Sequence, residues 1–514
     1  MDNKSFSSRL RAGFCAGALA LLVGVPSALA GPVTHGVAVG EVTDSKAVVW
    51  SRGDRDGTMH VTLTGPNGGP ERTVPITYRT DFTGKIVLRD LKADTEYRYK
   101  VWFTEPANES KKDDKESGVN DKDAPATETH GAGEGSFRTA PPPGARRAAR
   151  FGFGGDLAGQ NVCRDAEEGF PIMATLAHTP MDLFVGLGDM IYADALCEST
   201  GRYGNAQMQG NFQQSAAVSQ FWSHWSYSRE DAGFQTLLSR VPYYAVWDDH
   251  EVVNDFGPES DMRDTAPYRA GVHLIPTALR AFLDYNPFVP PRELPIRLYR
   301  SVRWGRHLDM FILDTRLFRD PNKQDDDPEH PKTLLGTQQL AWLKKGLAAS
   351  DATWKIIVTS VPLSIPTGHP PENGRDGWAS GDGKTGFEQE LLGLLDHLRK
   401  QHVRNVVFIA ADVHFATALR HRPFKDDPAF VVHEFVAGPL NAGLFPREEL
   451  DPTLNPERLL YFGPDRPVET WSKARNWMNF GLVDIDRRGT LRFAIHDVSG
   501  KPVRQLTLKP GGRS

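Results

Sequence analysis

The sequence predicts a layered α/β core preceded by a small immunoglobulin- or fibronectin-like β-sandwich domain. Three observations carry this. From Arg150 onward, apolar strand-like runs alternate with helical patterns and end in a hairpin. Four of those runs finish in an acidic or histidine-bearing tip, the way open α/β sheets build sites at the carboxyl ends of their strands. Before residue 140, short strand-like runs are separated by Gly, Asp and Asn turn clusters.

At 514 residues the chain is too long for one ordinary core. Its 39% hydrophobic and 24% charged content excludes wholesale disorder. A net charge of −5 gives no electrostatic footprint for nucleic acid. Residues 1–30 are expected to be a signal peptide. Lys4, Arg9 and Arg11 form a basic region, Phe14–Val25 an apolar one, and Ala28-Leu29-Ala30 a small-x-small cleavage site. The apolar run is short for a membrane anchor, and no other stretch is long enough to span. Export would leave Cys163 and Cys197 as the cysteines of the mature chain, a pair expected to form a disulfide; two free thiols, or Cys163 as a metal ligand, are the alternatives.

Residues 31–140 read as the β domain. In Leu91–Val101, Tyr97 stands where a sandwich corner places a tyrosine over the turn. Residues 105–136 are polar and charged, an expected flexible insertion in a hairpin that returns at Phe137. Residues 141–149, opening with three prolines, read as a stiff linker. Residues 150–514 form the second domain. Leu308–Leu313 and Trp354–Thr359 are buried strands within it. Leu340, Leu343 and Leu347 mark one helix, and Leu391, Leu394, Leu395 and Leu398 another. Phe480–Ile485 and Leu491–Ile495 flank a hairpin turn. The aromatic run Phe221–Tyr227 has helical spacing and is expected in the core.

The chemistry sits at the strand tips. Asp156 follows Phe151–Gly155. Asp189 and Tyr192 follow Leu183–Gly188, where the carboxylate can bridge two cations and the phenol can ligate a hard one; the alternative for Asp189 is a helix N-cap. Asp248-Asp249-His250-Glu251 follows Val241–Trp247. Adjacent carboxylates there repel and are partly desolvated, a cost that a bound cation removes. Asp412 and His414 share one side of an extended segment, which is chelate geometry; a buried His paired with a nearby Asp is the alternative. The oxygen-only ligands of a second metal favour calcium, magnesium or manganese over zinc. Arg316 is expected either to clamp a phosphate oxygen or to form a structural salt bridge. His433-Glu434 follows a strand and is expected near the rim of the site. The Gly368–Gly386 loop is a candidate lid.

In series, Gly188-Asp-x-x-Tyr192, Trp247-Asp-Asp-His-Glu251, Leu313-Asp-Thr-Arg316, Leu335-Gly-x-x-Gln-x-x-Trp-Leu343 and Asp412-x-His414 resemble the PhoD-like (alkaline phosphatase D) metallophosphatases. His35–Gly40 through Val48–Ser51 resembles that family's N-terminal β domain. The resemblance implies a calcineurin-like core and an exported, secreted or periplasmic phosphoesterase acting on monoesters or diesters. Substrates would be small molecules, phospholipid head groups or nucleotides, and the enzyme would act as a monomer. It implies ferric iron held by Asp156, Asp189, Tyr192 and His414. It also implies calcium held by Asp189, Asp249 and Asp412, with Asn254 as an addition; manganese or magnesium would suit the same oxygens. His250 would be proton donor or transition-state stabiliser. Asp156 stands where many relatives carry Cys, a departure that bears on the first metal's identity. Two cations about 3.5–4 Å apart would present a hydroxide for in-line attack.

The contrasting expectation is a calcium-stabilised extracellular binding protein without activity. Tyr192 and His250 argue against it, because a structural calcium site rarely includes either. A metal-dependent amide or ester hydrolase would be expected to carry more histidine ligands.

Overall fold

The computed structural model describes residues 32–105, 131–258, 274–291, 296–368, 371–381 and 384–511. The expected signal peptide and residues 106–130 of the charged insertion lie outside the described residues.

The N-terminal unit contains β1 (Val37–Gly40), β2 (Ala47–Arg52), β3 (Gly57–Thr64), β4 (Arg72–Ile76), β5 (Thr83–Leu88), β6 (Glu96–Thr104) and β7 (Gly133–Arg138). β3, β4, β6 and β7 make a four-stranded sheet that faces β1, β2 and β5 across a core of Val39, Val49, Met59, Tyr99 and Phe137. The expected corner is present: the Tyr97 hydroxyl accepts the Lys92 backbone N–H at 2.8 Å. The insertion does interrupt a hairpin, between β6 and β7.

The second unit continues with β8 (Ala149–Gly154), α1 (Pro171–His178), β9 (Leu183–Leu187), α2 (Val218–Arg229), α3 (Ala232–Arg240), β10 (Tyr243–Val246) and α4 (Ile275–Tyr285). There follow β11 (Arg300–Trp304), β12 (Leu308–Ile312), α5 (Gly336–Ala349), β13 (Trp354–Val358), α6 (Glu388–Lys400), β14 (Val406–Ala410), β15 (Ala416–His421), β16 (Val432–Val436) and β17 (Pro456–Phe462). The chain closes with α7 (Trp471–Ala474), β18 (Asn479–Ile485), β19 (Leu491–Asp497) and β20 (Pro502–Leu508). Expected strands and helices at β12, β13, α5, α6 and the β18–β19 hairpin are all present, and the aromatic run forms α2.

Two sheets lie face to face. One has seven strands, ordered β11-β12-β13-β14-β16-β15-β17. The other has nine, ordered β20-β19-β18-β8-β9-β10-β1-β2-β5. Strand alternation explains the layering. Leu183, Val185 and Leu187 face Ile356, Val358, Val407 and Ile409 between the sheets, while Phe184 and Tyr243 face outward against α1–α4. On the other flank, Phe311, Ile357 and Phe408 meet the leucines of α5 and α6. Each Leu or Phe fully buried in these layers contributes about 1.5–3 kcal/mol.

The strand order joins the two units by more than the 141–149 segment, because β1 pairs in parallel with β10, at Gly40 opposite Tyr243. Three N-terminal strands therefore extend the sheet that carries the site. The Glu41–Arg300 ion pair at 2.6 Å and the Trp50 indole donating to the Asp284 carbonyl at 2.7 Å lock the join. The 141–149 segment is itself pinned, through Gly305 N–H to the Pro141 carbonyl and Arg306 N–H to that of Ala145.

Candidate metal centre

β8, β9 and β10 run parallel in one sheet and β13 and β14 in the other, so their carboxyl ends present the four polar tips. The tips from both sheets converge: the Asp412 N–H donates to Asp156 Oδ1 at 3.1 Å, across 256 residues of chain. Asp156, Asp189, Asp412 and His414 all have left-handed backbone, with φ of 65°, 51°, 72° and 57°. That conformation costs an L-residue roughly 1–2 kcal/mol. Such strain is characteristic of functional sites. The surroundings impose it. Buried Glu251 accepts from the backbone N–H of Asp189, Met190 and Asp248 at 3.1, 2.8 and 2.7 Å, tying the β9 and β10 tips together.

Oxygens and nitrogens of Asp189, Asp249 and His250 lie within 4.8 Å of one another, as do those of Asp248, Asp249 and Asp412. The Tyr192 hydroxyl is 3.0 Å from His414 Nε2, and Asp156 Oδ1 is 3.9 Å from the same nitrogen. His414 Nδ1 donates to the Gly443 carbonyl, so Nε2 is the acceptor nitrogen of a neutral ring and accepts a hydrogen bond from the Tyr192 hydroxyl. Burial pushes the His414 pKa down to about 3, which keeps it neutral. Asn254 is drawn to the same loop, its backbone N–H donating to Asp194 Oδ2 at 3.0 Å.

The residues fit divalent or trivalent cations. Asp156 Oδ2 and Asp412 Oδ2 are buried with no hydrogen-bond partner among the described residues. Burial, and then the charge of neighbouring carboxylates, holds Asp156, Asp189 and Asp412 well above the ordinary carboxylate range. Several acids compete for ionisation in one dry space, and a cation resolves that competition. The donor set, carboxylates with one phenol and one imidazole, suits hard ions.

His250 differs from His414. Burial alone would lower its pKa, but Asp194 and Asp249 outweigh that and lift it to about 9. Its Nδ1 is 2.7 Å from Asp194 Oδ1, and its ring lies 4.1 Å from that of Tyr192. Asp194 occupies Nδ1, which leaves Nε2 as the nitrogen able to serve a substrate.

Arg316 is a correction. Its side chain is fully buried and spent on acids, with Nε to Asp248 Oδ1 at 2.5 Å, Nη1 to Asp376 Oδ2 at 2.9 Å and Nη2 3.6 Å from Asp249. It holds the Asp248-Asp249 pair in place, the salt-bridge alternative, while Nη2 has no hydrogen-bond partner among the described residues. Glu434 is also corrected. It is wholly buried, accepting from Leu363 N–H at 2.6 Å and bonded to His421 at 2.9 Å, and does not reach the rim. Sequence reasoning missed Asp194, Asp255 and Asp376. Asp249, Asp255 and Asp376 form a third close carboxylate group. Only Asp194 carried a local signal, two residues past Tyr192.

Cys163 and Cys197 are disulfide-bonded, as expected, with Cα atoms 5.8 Å apart. The bridge closes the segment that bears Asp189 and Tyr192.

A two-sheet α/β sandwich with a cluster of carboxylates, Tyr and His at converging strand ends defines a calcineurin-like metallophosphoesterase fold. The chain belongs to the PhoD-like phosphatase family: residues 153–496 match that family and residues 21–113 match its N-terminal domain. It is 25% identical over 334 residues to alkaline phosphatase D of Bacillus subtilis (strain 168), a match spanning 60% of this chain and 54% of that protein's length. Among solved structures it resembles PhoD, with a TM-score of 0.70 and 17% identity over 95% of this chain and 94% of that one. It also resembles purple acid phosphatase PPD1 from yellow lupin (Lupinus luteus) seeds, with a TM-score of 0.57 and 15% identity over 93% and 74% of the two chains.

Proposed function

We propose that this protein is an exported, metal-dependent phosphoesterase that hydrolyses organic phosphate esters. The observation that carries the reading is the convergence of Asp156, Asp189, Asp249, Asp412, Tyr192 and His414, with two carboxylate oxygens buried and unpartnered. Asp156, Asp189, Tyr192 and His414 would hold a ferric-type ion. Asp189, Asp249 and Asp412, with Asn254, would hold calcium or another oxygen-loving divalent ion. When bound, such a pair supplies Lewis acidity and an activated water for in-line displacement at phosphorus. Arg316 fixes Asp248 and Asp249 by charge and hydrogen bonding. His250, oriented by Asp194, places a proton where the leaving-group oxygen develops charge. Family membership supports the phosphate-ester substrate class. The basic and apolar N-terminal segment supports export to the periplasm or medium.

The test is elemental analysis of the purified mature chain, with assays on aryl phosphate mono- and diesters with and without chelator. Iron plus calcium, chelator-sensitive turnover, and loss of both metal and turnover in Asp189→Asn are expected. Calcium alone with no turnover on either ester would overturn the reading.

A further inference from the structure

His414 is walled on one side by a segment with its own chemistry. The Phe445 ring stacks on the His414 ring at 4.3 Å and 10°. Phe445 is only half-buried, so part of its ring meets solvent beside a candidate ligand. Arg202 lies against the same segment, at Gly443. A Cβ on Gly443 would stand 3.3 Å from Arg202 Nη1, so the guanidinium rests on the backbone whose carbonyl receives the His414 Nδ1 proton.

Arg202 is held there. Its neighbour Tyr203 is buried, and the Tyr203 hydroxyl accepts the Leu444 N–H at 2.9 Å. The Arg202 N–H donates to the Asn161 carbonyl at 2.8 Å. The Cys163–Cys197 bridge staples the same loop. Yet the Arg202 side chain is exposed and forms no ion pair with any described residue. Arg316, by contrast, is paired with Asp248 and Asp376. A positioned, unneutralised guanidinium on the same segment as a half-buried aromatic ring is a recognition element for a second anionic group.

We propose that Arg202 and Phe445 form a leaving-group subsite that selects phosphate esters whose leaving group carries a second phosphate, with the leaving group's apolar part against Phe445. This rests on the phosphoesterase reading above. Arg202 is a specificity residue and takes no part in bond cleavage.

The experiment compares kcat/KM for adenosine 3′,5′-bisphosphate and 4-nitrophenyl phosphate in the metal-loaded full mature chain, its Arg202→Met variant and its Arg202→Lys variant. The ratio of the two values is expected to fall by about tenfold or more in Arg202→Met, mostly through KM for the bisphosphate, and to recover partly in Arg202→Lys. A ratio unchanged in Arg202→Met overturns the subsite while leaving the phosphoesterase intact. Failure of the parent protein to release phosphate from the doubly phosphorylated compound overturns the subsite, and the phosphoesterase reading falls with it only if aryl mono- and diesters are left intact as well.

Discussion

The Tyr192 hydroxyl and His414 Nε2 meet at 3.0 Å although 222 residues separate them. One comes from the tip of the nine-stranded sheet and the other from the tip of the seven-stranded sheet. Burial pushes the Tyr192 hydroxyl pKa well above 10, with nearby carboxylates adding to the effect, so the phenol needs a cation to ionise. Tyr192→Phe keeps the ring packing and removes only the oxygen. It is expected to fold like the parent, retain less of the iron-type metal and lose roughly tenfold to a hundredfold or more in turnover. Elemental analysis beside circular dichroism checks this; full metal content in the variant would remove Tyr192 from the ligand set.

Asp194 acts through His250. The carboxylate orients the imidazole and raises its pKa. Asp194→Asn preserves shape and removes the charge. The expected result is a fall in kcat of about a hundredfold with a smaller change in KM. Leaving-group dependence gives a second readout, since esters with good leaving groups need less proton donation and should suffer least.

Gly438 makes room for Asp156. It has φ of 148°, and a Cβ there would stand 2.3 Å from Asp156 Oδ2. Gly438→Ala is expected to displace that carboxylate, costing roughly 1–3 kcal/mol of stability and the first cation. Thermal unfolding and metal analysis test both parts, and an alanine variant with unchanged metal content would separate Asp156 from the centre.

His224 links stability to acidity. Its ring lies 3.9 Å from that of Phe212 and its Nε2 is bonded to the Gln213 carbonyl at 2.9 Å. Burial lowers its pKa to about 4. As pH falls below 6.5 the unfolded chain takes up the proton first, so stability is full above 6.5 and drains away down to pH 4, by about 3 kcal/mol. His35 and His433 are lowered in the same direction, chiefly by burial. His224→Gln is expected to flatten the decline measured by denaturant unfolding between pH 7 and 4. An unaltered slope would show that His224 is not a source of it.

Much of the layered core was legible because its signals are local. Apolar runs such as Val406–Ala410 announce buried strands, and a carboxylate directly after such a run announces a tip. Leu391, Leu394, Leu395 and Leu398 announce a helix face by spacing alone. The tyrosine corner spans only six residues, Lys92 to Tyr97.

What tertiary structure alone decided were the partners of charge and the joining of sheets. Arg316 could have faced a phosphate or an acid. Only chain closure brings Asp248, 68 residues away, and Asp376, 60 residues away, to its guanidinium. Likewise, nothing in Val37–Gly40 distinguishes an edge strand of a separate sandwich from one that pairs with β10, because strand pairing is made by backbone groups that every residue carries. Sequence by itself therefore determined which residues stand at the strand tips and what ions their atoms suit. The fold decided which of those charges are compensated by the protein and which carboxylates remain for a metal, since compensation depends on distances between residues far apart in the chain.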